Sequence, residues 1–194
     1  MTSPRLTLSR RHLSHSVRLG YSVLAGILLL SFPGTIRCQT TSADEYKIRA
    51  AILINLTKFI DWPAWKMDSS HPQMVLCILG KDSIEPIVER YAQNQIVAGK
   101  PLQVLNISSV DTAASCNLLY IGVGEQKHIH PAVNELAKNG VLTVSESSNT
   151  TLPDQVIGLP TLNDEVHIDI NLGAAQRTGL TISSKLLRLA TVSR

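Results

Sequence analysis

The pattern that most restricts the fold is an alternation, along residues 44–194, of short apolar segments with segments predicted to be helical. The clearest apolar segment is Met74 to Leu79 (MVLCIL), whose lack of polar positions is typical of a strand buried on both faces. Further strands are predicted at residues 102–107, 118–122, 141–145 and 166–170, and helices at residues 44–60, 83–91, 131–139 and 186–190. Strands that alternate with helices predict an α/β sandwich with a mixed, largely parallel central sheet flanked by helices.

The first predicted helix, residues 44–60, carries apolar residues spaced by three and four, as on one helix face. Its apolar stripe comprises Ile48, Ile52, Leu56, Phe59 and Ile60. Leu53 and Ile54 extend the stripe beyond one face, so the helix is either well buried or shared with a partner. Trp62-Pro63 ends the pattern, because the residue before a proline avoids the helical region.

Residues 1–43 have the organisation of a secretory leader. They contain five arginines and no acidic residue, and an apolar run of 14 residues extends from Leu19 to Phe32. This run is shorter than the roughly 20 residues that a membrane-spanning helix needs, so a cleaved signal peptide is favoured over an anchor. Cleavage is expected after Ala43 or nearer Cys38, which leaves residues 44–194 as one exported domain. Arg37 before Cys38 disfavours a lipoprotein.

The charge of the chain depends on this leader. The whole sequence has 18 Lys and Arg against 15 Asp and Glu, a net charge of +3. Residues 44–194 retain 18 − 5 = 13 basic residues against all 15 acidic ones, which is −2. Nucleic-acid binding is therefore not expected, because contact with phosphates needs a surplus of clustered positive charge.

If Cys38 leaves with the leader or stays in a flexible start, the folded part keeps two cysteines, Cys77 and Cys116. An oxidising compartment allows them to pair, and two buried free thiols are the alternative. Neither cysteine belongs to a C-x-x-C motif, so thiol–disulfide exchange chemistry is not expected.

The sequence contains no recognisable catalytic motif. It has no phosphate-binding glycine loop, no nucleophile elbow and no H-E-x-x-H helix. His128 and His130, with Glu125 nearby, are of types that bind metals, but a solvated loop explains them as well. We therefore expect a protein that is not an enzyme and that has no metal or cofactor.

Several segments together resemble one family. They are RAAILINLTKFIDWP (residues 49–63), VLCILGKD (75–82), CNLLYIG (116–122), VLTVSE (141–146) and VHIDINLGAAQRTGLTISSKLLRLA (166–190). In this order they resemble the successive blocks of the YfiR family, also called the DUF4154 domain. The resemblance implies an α/β sandwich that tends to dimerise and has no catalytic activity. It also implies that Cys77 and Cys116 form a structural disulfide.

The resemblance further implies a role in signalling. The best-understood members of the YfiR family are periplasmic regulators. They bind the periplasmic sensor domain of an inner-membrane diguanylate cyclase and hold it inactive, and an outer-membrane lipoprotein or redox stress releases them. The result is control of cyclic di-GMP and biofilm formation. A sensor kinase is an alternative membrane partner, because family resemblance alone does not fix the partner.

The wide apolar stripe of the first helix suggests where such a partner binds. Candidate contacts are the apolar residues Ile52, Phe59 and Trp62, with Lys58 and Asp61 as polar neighbours. Packing across the helix end is an alternative role for Trp62. The competing hypothesis is a periplasmic small-molecule-binding module, whose polar site near the last predicted strand would comprise Asp169, Asn171 and Arg177.

Overall fold

A computed structural model describes residues 42–129, 131–147 and 154–193, all within one compact unit, Gln39–Arg194. The predicted signal peptide lies outside the described residues except for positions 42 and 43. The first helix already begins at Ser42, so cleavage after Ala43 would remove its first two residues. No helix among the described residues has the length and apolar character needed to span a membrane.

The described residues form six α-helices and twelve short strands. The helices are α1 (Ser42–Leu56), α2 (Glu85–Ala92), α3 (Gln126–Ile129), α4 (Val133–Lys138), α5 (Leu172–Thr178) and α6 (Ser184–Leu187). The strands are β1 (Ile60–Asp61), β2 (Met74–Leu79), β3 (Ile96–Val97), β4 (Lys100–Ile107), β5 (Leu118–Ile121), β6 (Leu142–Ser145), β7 (Ile157–Gly158), β8 (Thr161–Leu162), β9 (Glu165–Val166), β10 (Asp169–Asn171), β11 (Thr181–Ile182) and β12 (Thr191–Ser193).

Eight of these strands form the central sheet, in the order β12-β10-β7-β6-β5-β2-β4-β3. Strand β2 pairs in parallel with β4 on one side and with β5 on the other, and β5, β6 and β7 continue the parallel arrangement. The pairs β7–β10 and β3–β4 are antiparallel, whereas β10–β12 is parallel. The predicted α/β fold with a mixed, largely parallel sheet is confirmed.

Each face of the sheet is covered by its own apolar core. On one face, Leu76 and Ile78 of β2 pack with Leu53 of α1. On the other face, Cys77 and Leu79 of β2 pack in a smaller core with residues of α3 and α4. Adjacent residues of β2 serve different cores because successive side chains of a strand point to opposite faces. This double burial explains why the apolar run in the sequence predicted the bounds of β2 correctly.

The first helix is shorter than predicted and presents a different face to the core. It ends at Leu56 rather than at residue 60, and Ile60 instead pairs with Ile182 in the two-stranded sheet of β1 and β11. Its buried apolar residues are Ala50, Leu53, Ile54 and Leu56. Ile48, predicted to lie on the buried stripe, is 43% exposed. The helix carries apolar residues on most of its own circumference, so their spacing did not show which face would be buried.

The C-terminal third also departs from the predicted elements. The predicted strand at residues 166–170 is divided between β9, which forms a hairpin with β8, and β10 in the central sheet. Helix α5 follows at once, because Oδ1 of Asn171 accepts a hydrogen bond from the main-chain N–H of Ala174. Gly179 ends α5 in the left-handed conformation.

Candidate functional site

The structure separates the five predicted partner-binding residues into surface and core. Lys58 and Asp61 are exposed, and Ile52 and Phe59 are half-buried against the main core. Trp62 is only 9% exposed, and its Nε1–H donates a hydrogen bond to the main-chain oxygen of Asn117, 3.2 Å away. Trp62 therefore packs across the helix end, as in its alternative interpretation, and has little surface to offer a partner.

Part of the outer face of α1 is uncovered near these residues. Ile48 is exposed and Ile52 half-buried one turn further along. A shallow groove between α1 and α2 runs beside them, lined by Ala51, Ile54, Asn55, Lys58, Tyr91 and Gln95. The ammonium of Lys58 donates to Oε1 of Gln95 at 3.0 Å, which fixes a positive charge at the end of the groove. An apolar row with a fixed charge beside it suits contact with another protein.

The cysteine pair is present as a disulfide. Cys77 and Cys116 are bonded with their Cα atoms 5.9 Å apart, and both are fully buried. The bond joins the middle of β2 to the residue that follows the 3-10 helix Val110–Ser115. The disulfide therefore links the segment that contains this 3-10 helix to the centre of the sheet, within the smaller core.

The three residues of the predicted small-molecule site do not converge. Asn171 caps α5 through its side-chain oxygen, as described above. Arg177 lies in the last turn of the same helix, about 9 Å further along its axis, where its guanidinium pairs with Asp154 at 3.4 Å. Both of these charged side chains are about half exposed. Asp169 is half-buried in β10, so the geometry assembles no common site from the three.

A buried polar cluster, which the sequence did not predict, surrounds Arg49 of α1. The Arg49 side chain is 5% exposed, and its guanidinium lies 3.3 Å from a carboxylate oxygen of Glu45 and 3.6 Å from one of Glu146. It also donates to Oγ1 of Thr161 at 2.6 Å. The second carboxylate oxygen of Glu146 accepts a hydrogen bond from the hydroxyl of Tyr120 at 2.5 Å. Arg49 thereby ties α1 to the end of β6 and to the β8–β9 hairpin.

Burial controls the protonation of the tyrosines beside this cluster. Burial, followed by the charge of Glu146, raises the pKa of Tyr120 far above its ordinary value. The same causes raise the pKa of Tyr46. Both phenols therefore stay neutral at physiological pH, and Tyr120 acts as a hydrogen-bond donor to Glu146. The only sign of this buried cluster in the sequence is Arg49 itself, at the start of the apolar part of the first helix.

The described residues contain no group of three or more His, Cys, Asp or Glu side chains arranged to hold a metal ion. His130 and the side chain of His128 lie outside the described part of the chain.

Lys66 is a second buried charge. The residue is 2% exposed, and its ammonium donates to the main-chain oxygen of Ala114 at 2.7 Å. The ammonium also lies 5.9 Å from the centre of the Trp65 ring. Burial lowers the pKa of Lys66 from its ordinary 10.5 to about 8.

We expect this shift to make stability depend on pH. Between pH 8 and 10.5 the unfolded chain binds more protons at Lys66 than the folded one, so the free energy of unfolding should rise with pH. The Lys66→Met variant should lose that rise, as measured by urea denaturation across this range. Lys138→Met is the control, because Lys138 is exposed and should leave the rise unchanged. An equal rise in wild type and Lys66→Met would refute the assignment.

The fold, the disulfide and the surface of α1 together indicate a class of protein. A mixed α/β sheet fastened by an internal disulfide, with an uncovered apolar row on its first helix, is typical of a compact exported binding domain. A family model described as YfiR/HmsC-like (DUF4154) matches residues 46–191, and the chain belongs to this family. The family is regulatory rather than catalytic, and its members are periplasmic proteins of cyclic di-GMP signalling.

No curated protein matches the chain in sequence. A solved structure, the ABC domain in complex with L-Trp from Streptococcus pneumonia, has 12% sequence identity and a TM-score of 0.48. The match covers 74% of this chain and 60% of that chain, so the present chain spans less than two thirds of it. Similarity at this level carries no argument about a ligand.

Proposed function

We propose that the protein is a periplasmic repressor of an inner-membrane diguanylate cyclase, exported by a cleaved N-terminal signal peptide. It binds the periplasmic sensor domain of the cyclase and holds the enzyme inactive, which lowers cyclic di-GMP and limits biofilm formation. Family membership supports the pathway. The observation that carries the binding proposal is the uncovered Ile48–Ile52 row on a helix whose opposite face is fully buried.

Repression requires a difference in affinity between two states of the sensor. A ligand shifts a conformational equilibrium only as far as it binds one state better than the other. The outer face of α1 is held rigidly, because its inner face packs in the main core and Arg49 ties it to Glu146 and Thr161. A rigid apolar row can match one arrangement of sensor helices and mismatch the other. An outer-membrane lipoprotein that covers the same row would release the cyclase.

A charge placed on this row should abolish repression without unfolding the protein. We expect Ile48→Glu to weaken binding to the purified sensor domain at least about tenfold, since truncating or charging an interface anchor costs on the order of 2 kcal/mol. Binding is measured by calorimetry, and cyclase activity is measured in membranes that contain the full-length enzyme.

The matched control is Leu105→Glu. Leu105 is 37% exposed on β4, and its neighbour Val104 packs in the main core, so Leu105 lies on the opposite face of the sheet. This variant should bind and repress like the wild type. Full repression by Ile48→Glu, with an unchanged melting temperature, would exclude the α1 surface.

A further inference from the structure

The groove between α1 and α2 is bordered by positive charge. Lys58, just beyond the end of α1, is exposed, and its ammonium donates to Oε1 of Gln95 at 3.0 Å. Arg90 of α2 is also exposed, and its guanidinium lies 5.6 Å from the centre of the Tyr91 ring, which lines the groove. Neither cation forms an ion pair with another of the described residues. Both charges are therefore available to an anionic group from outside the domain.

Lys47 adds a third cation near the other end of the groove. It is exposed and pairs with Asp44 at 2.7 Å. The hydrogen bond to Asp44 raises the pKa of Lys47, and the charge of Arg90 acts in the opposite direction, so the two cations lie within electrostatic reach of each other. Lys47 and Lys58 are 11 residues apart in sequence, which corresponds to about 16 Å along a helix axis. Positive charge therefore borders the groove over about three helical turns.

The shape of the groove and its charge together indicate what it can bind. Residues 44–194 carry a net charge of −2 although they include these three cations, so the positive border is a local feature. The groove has a volume of about 320 Å³, its lining includes Ala51 and Tyr91, and Ile48 and Ile52 lie beside it on α1. A groove between two helices suits the rows of side chains that project from a third helix. The complementary surface is an apolar helix face flanked by carboxylates.

We propose that the occupant of this groove is an acidic amphipathic α-helix of the sensor domain. Its apolar side chains pack against Ile48, Ala51 and Ile52, and its carboxylates lie near Lys58 and Arg90. The inference rests on the repressor proposal and names the kind of element that the repressor recognises. Charge pairs at the border of an interface raise the association rate and the specificity more than the affinity. A helix with basic residues at the same positions is repelled, which discriminates between sensors.

The first test reverses the charge at the border of the groove. The association rate of the wild type with the purified sensor domain, measured by stopped flow, should fall at least about tenfold as salt rises from about 20 to 500 mM. The double variant Lys58→Glu/Arg90→Glu should bind at least about tenfold more weakly at low salt, and its association rate should rise with salt because like charges then face one another. The charge-conserving variant Lys58→Arg/Arg90→Lys should bind like the wild type.

The matched control is Lys127→Glu/Lys138→Glu, which makes the same change in net charge. These lysines are exposed on α3 and α4, which pack in the smaller core on the opposite face of the sheet from α1. The control should keep most of the wild-type rate and its decrease with salt. Melting temperatures establish that all variants are folded.

The second test measures the conformation of the bound segment. Lys47 and Asn55 are exposed on α1 and eight residues apart, which is about 12 Å along the axis. A photoactivatable side chain placed at each position in turn should attach to two residues of one sensor segment. A helix that follows the groove covers this distance with about eight residues, whereas an extended strand covers it with about four. Attachment sites about four residues apart, or on separate segments, would exclude a helical occupant.

The failure of this inference is distinguishable from the failure of the repressor proposal. A wild type that does not bind the sensor domain at any salt concentration overturns both. A charge-reversed variant with the affinity and salt dependence of the wild type overturns the inference alone. Binding of the wild type to phosphatidylglycerol vesicles without the sensor, lost in Lys58→Glu/Arg90→Glu, would mean that these cations contact a membrane surface, and would also overturn it.

Discussion

Replacing both disulfide cysteines by alanine is expected to lower the free energy of unfolding by about 4 kcal/mol, the value that chain entropy gives for a bond closing a loop of this size. Cys77 and Cys116 are 39 residues apart in sequence. For a domain of this length the loss corresponds to a decrease of about 10 °C in melting temperature. Thermal and urea denaturation of the double variant measure it.

The contribution of the covalent bond is separable from that of the buried side chains. Wild-type protein unfolded and refolded with reductant should lose nearly as much stability as the Cys77→Ala/Cys116→Ala variant, and reductant should not affect the variant. Because both cysteines are fully buried, reductant should act on the folded wild type only through opening of the structure. A double variant as stable as the oxidised wild type would show that the bond does not constrain this fold.

Arg49→Met is expected to cost about 3–5 kcal/mol, because it leaves the carboxylate of Glu146 mostly buried without its cation. It also removes the hydrogen bond to Thr161 that joins α1 to the β8–β9 hairpin. Urea denaturation at neutral pH measures the loss. Lys47→Met is the matched control on the same helix. Lys47 pairs with Asp44 at a site where both side chains are about half exposed, so its loss should leave the free energy of unfolding close to that of the wild type.

A double variant tests the physical cause. Adding Glu146→Gln to Arg49→Met removes the charge left without a partner, so the combined loss should be smaller than the sum of the two single losses. Additive losses would mean that Arg49 stabilises the fold through packing of its side chain rather than through its charge.

The sequence predicted those elements whose partners are close along the chain or whose burial is complete. The bounds of β2 are correct because both of its faces are covered, and α2 and α4 lie within the segments predicted to be helical. It did not predict β1, since a two-residue strand at Ile60 depends on Ile182 far along the chain. Nor did it predict β12, which is short and exposed and therefore lacks an apolar pattern.

The sequence predicted only part of the candidate site. The first helix was predicted to be a binding surface from its wide apolar stripe, whereas the face that remains uncovered is decided by packing against the sheet. Trp62 was predicted to lie at the interface because of its residue type, whereas its indole N–H donates a hydrogen bond to the main-chain oxygen of Asn117 inside the fold. The partners of Arg49 come from segments separated in sequence, so no local spacing could have brought Glu146 and Thr161 to it.

The contacts that join the first helix and β1 to the C-terminal part of the domain affect the rate of folding. Arg49 and Thr161 are 112 residues apart, and β1 pairs with a strand from the last quarter of the chain. Contacts of such long sequence separation slow folding, because the ends must meet before any stabilisation is gained. The contacts of Arg49 with Thr161 and of β1 with β11 can therefore form only when nearly the whole chain is available, whereas the inner face of α1 can pack earlier against the nearby β2.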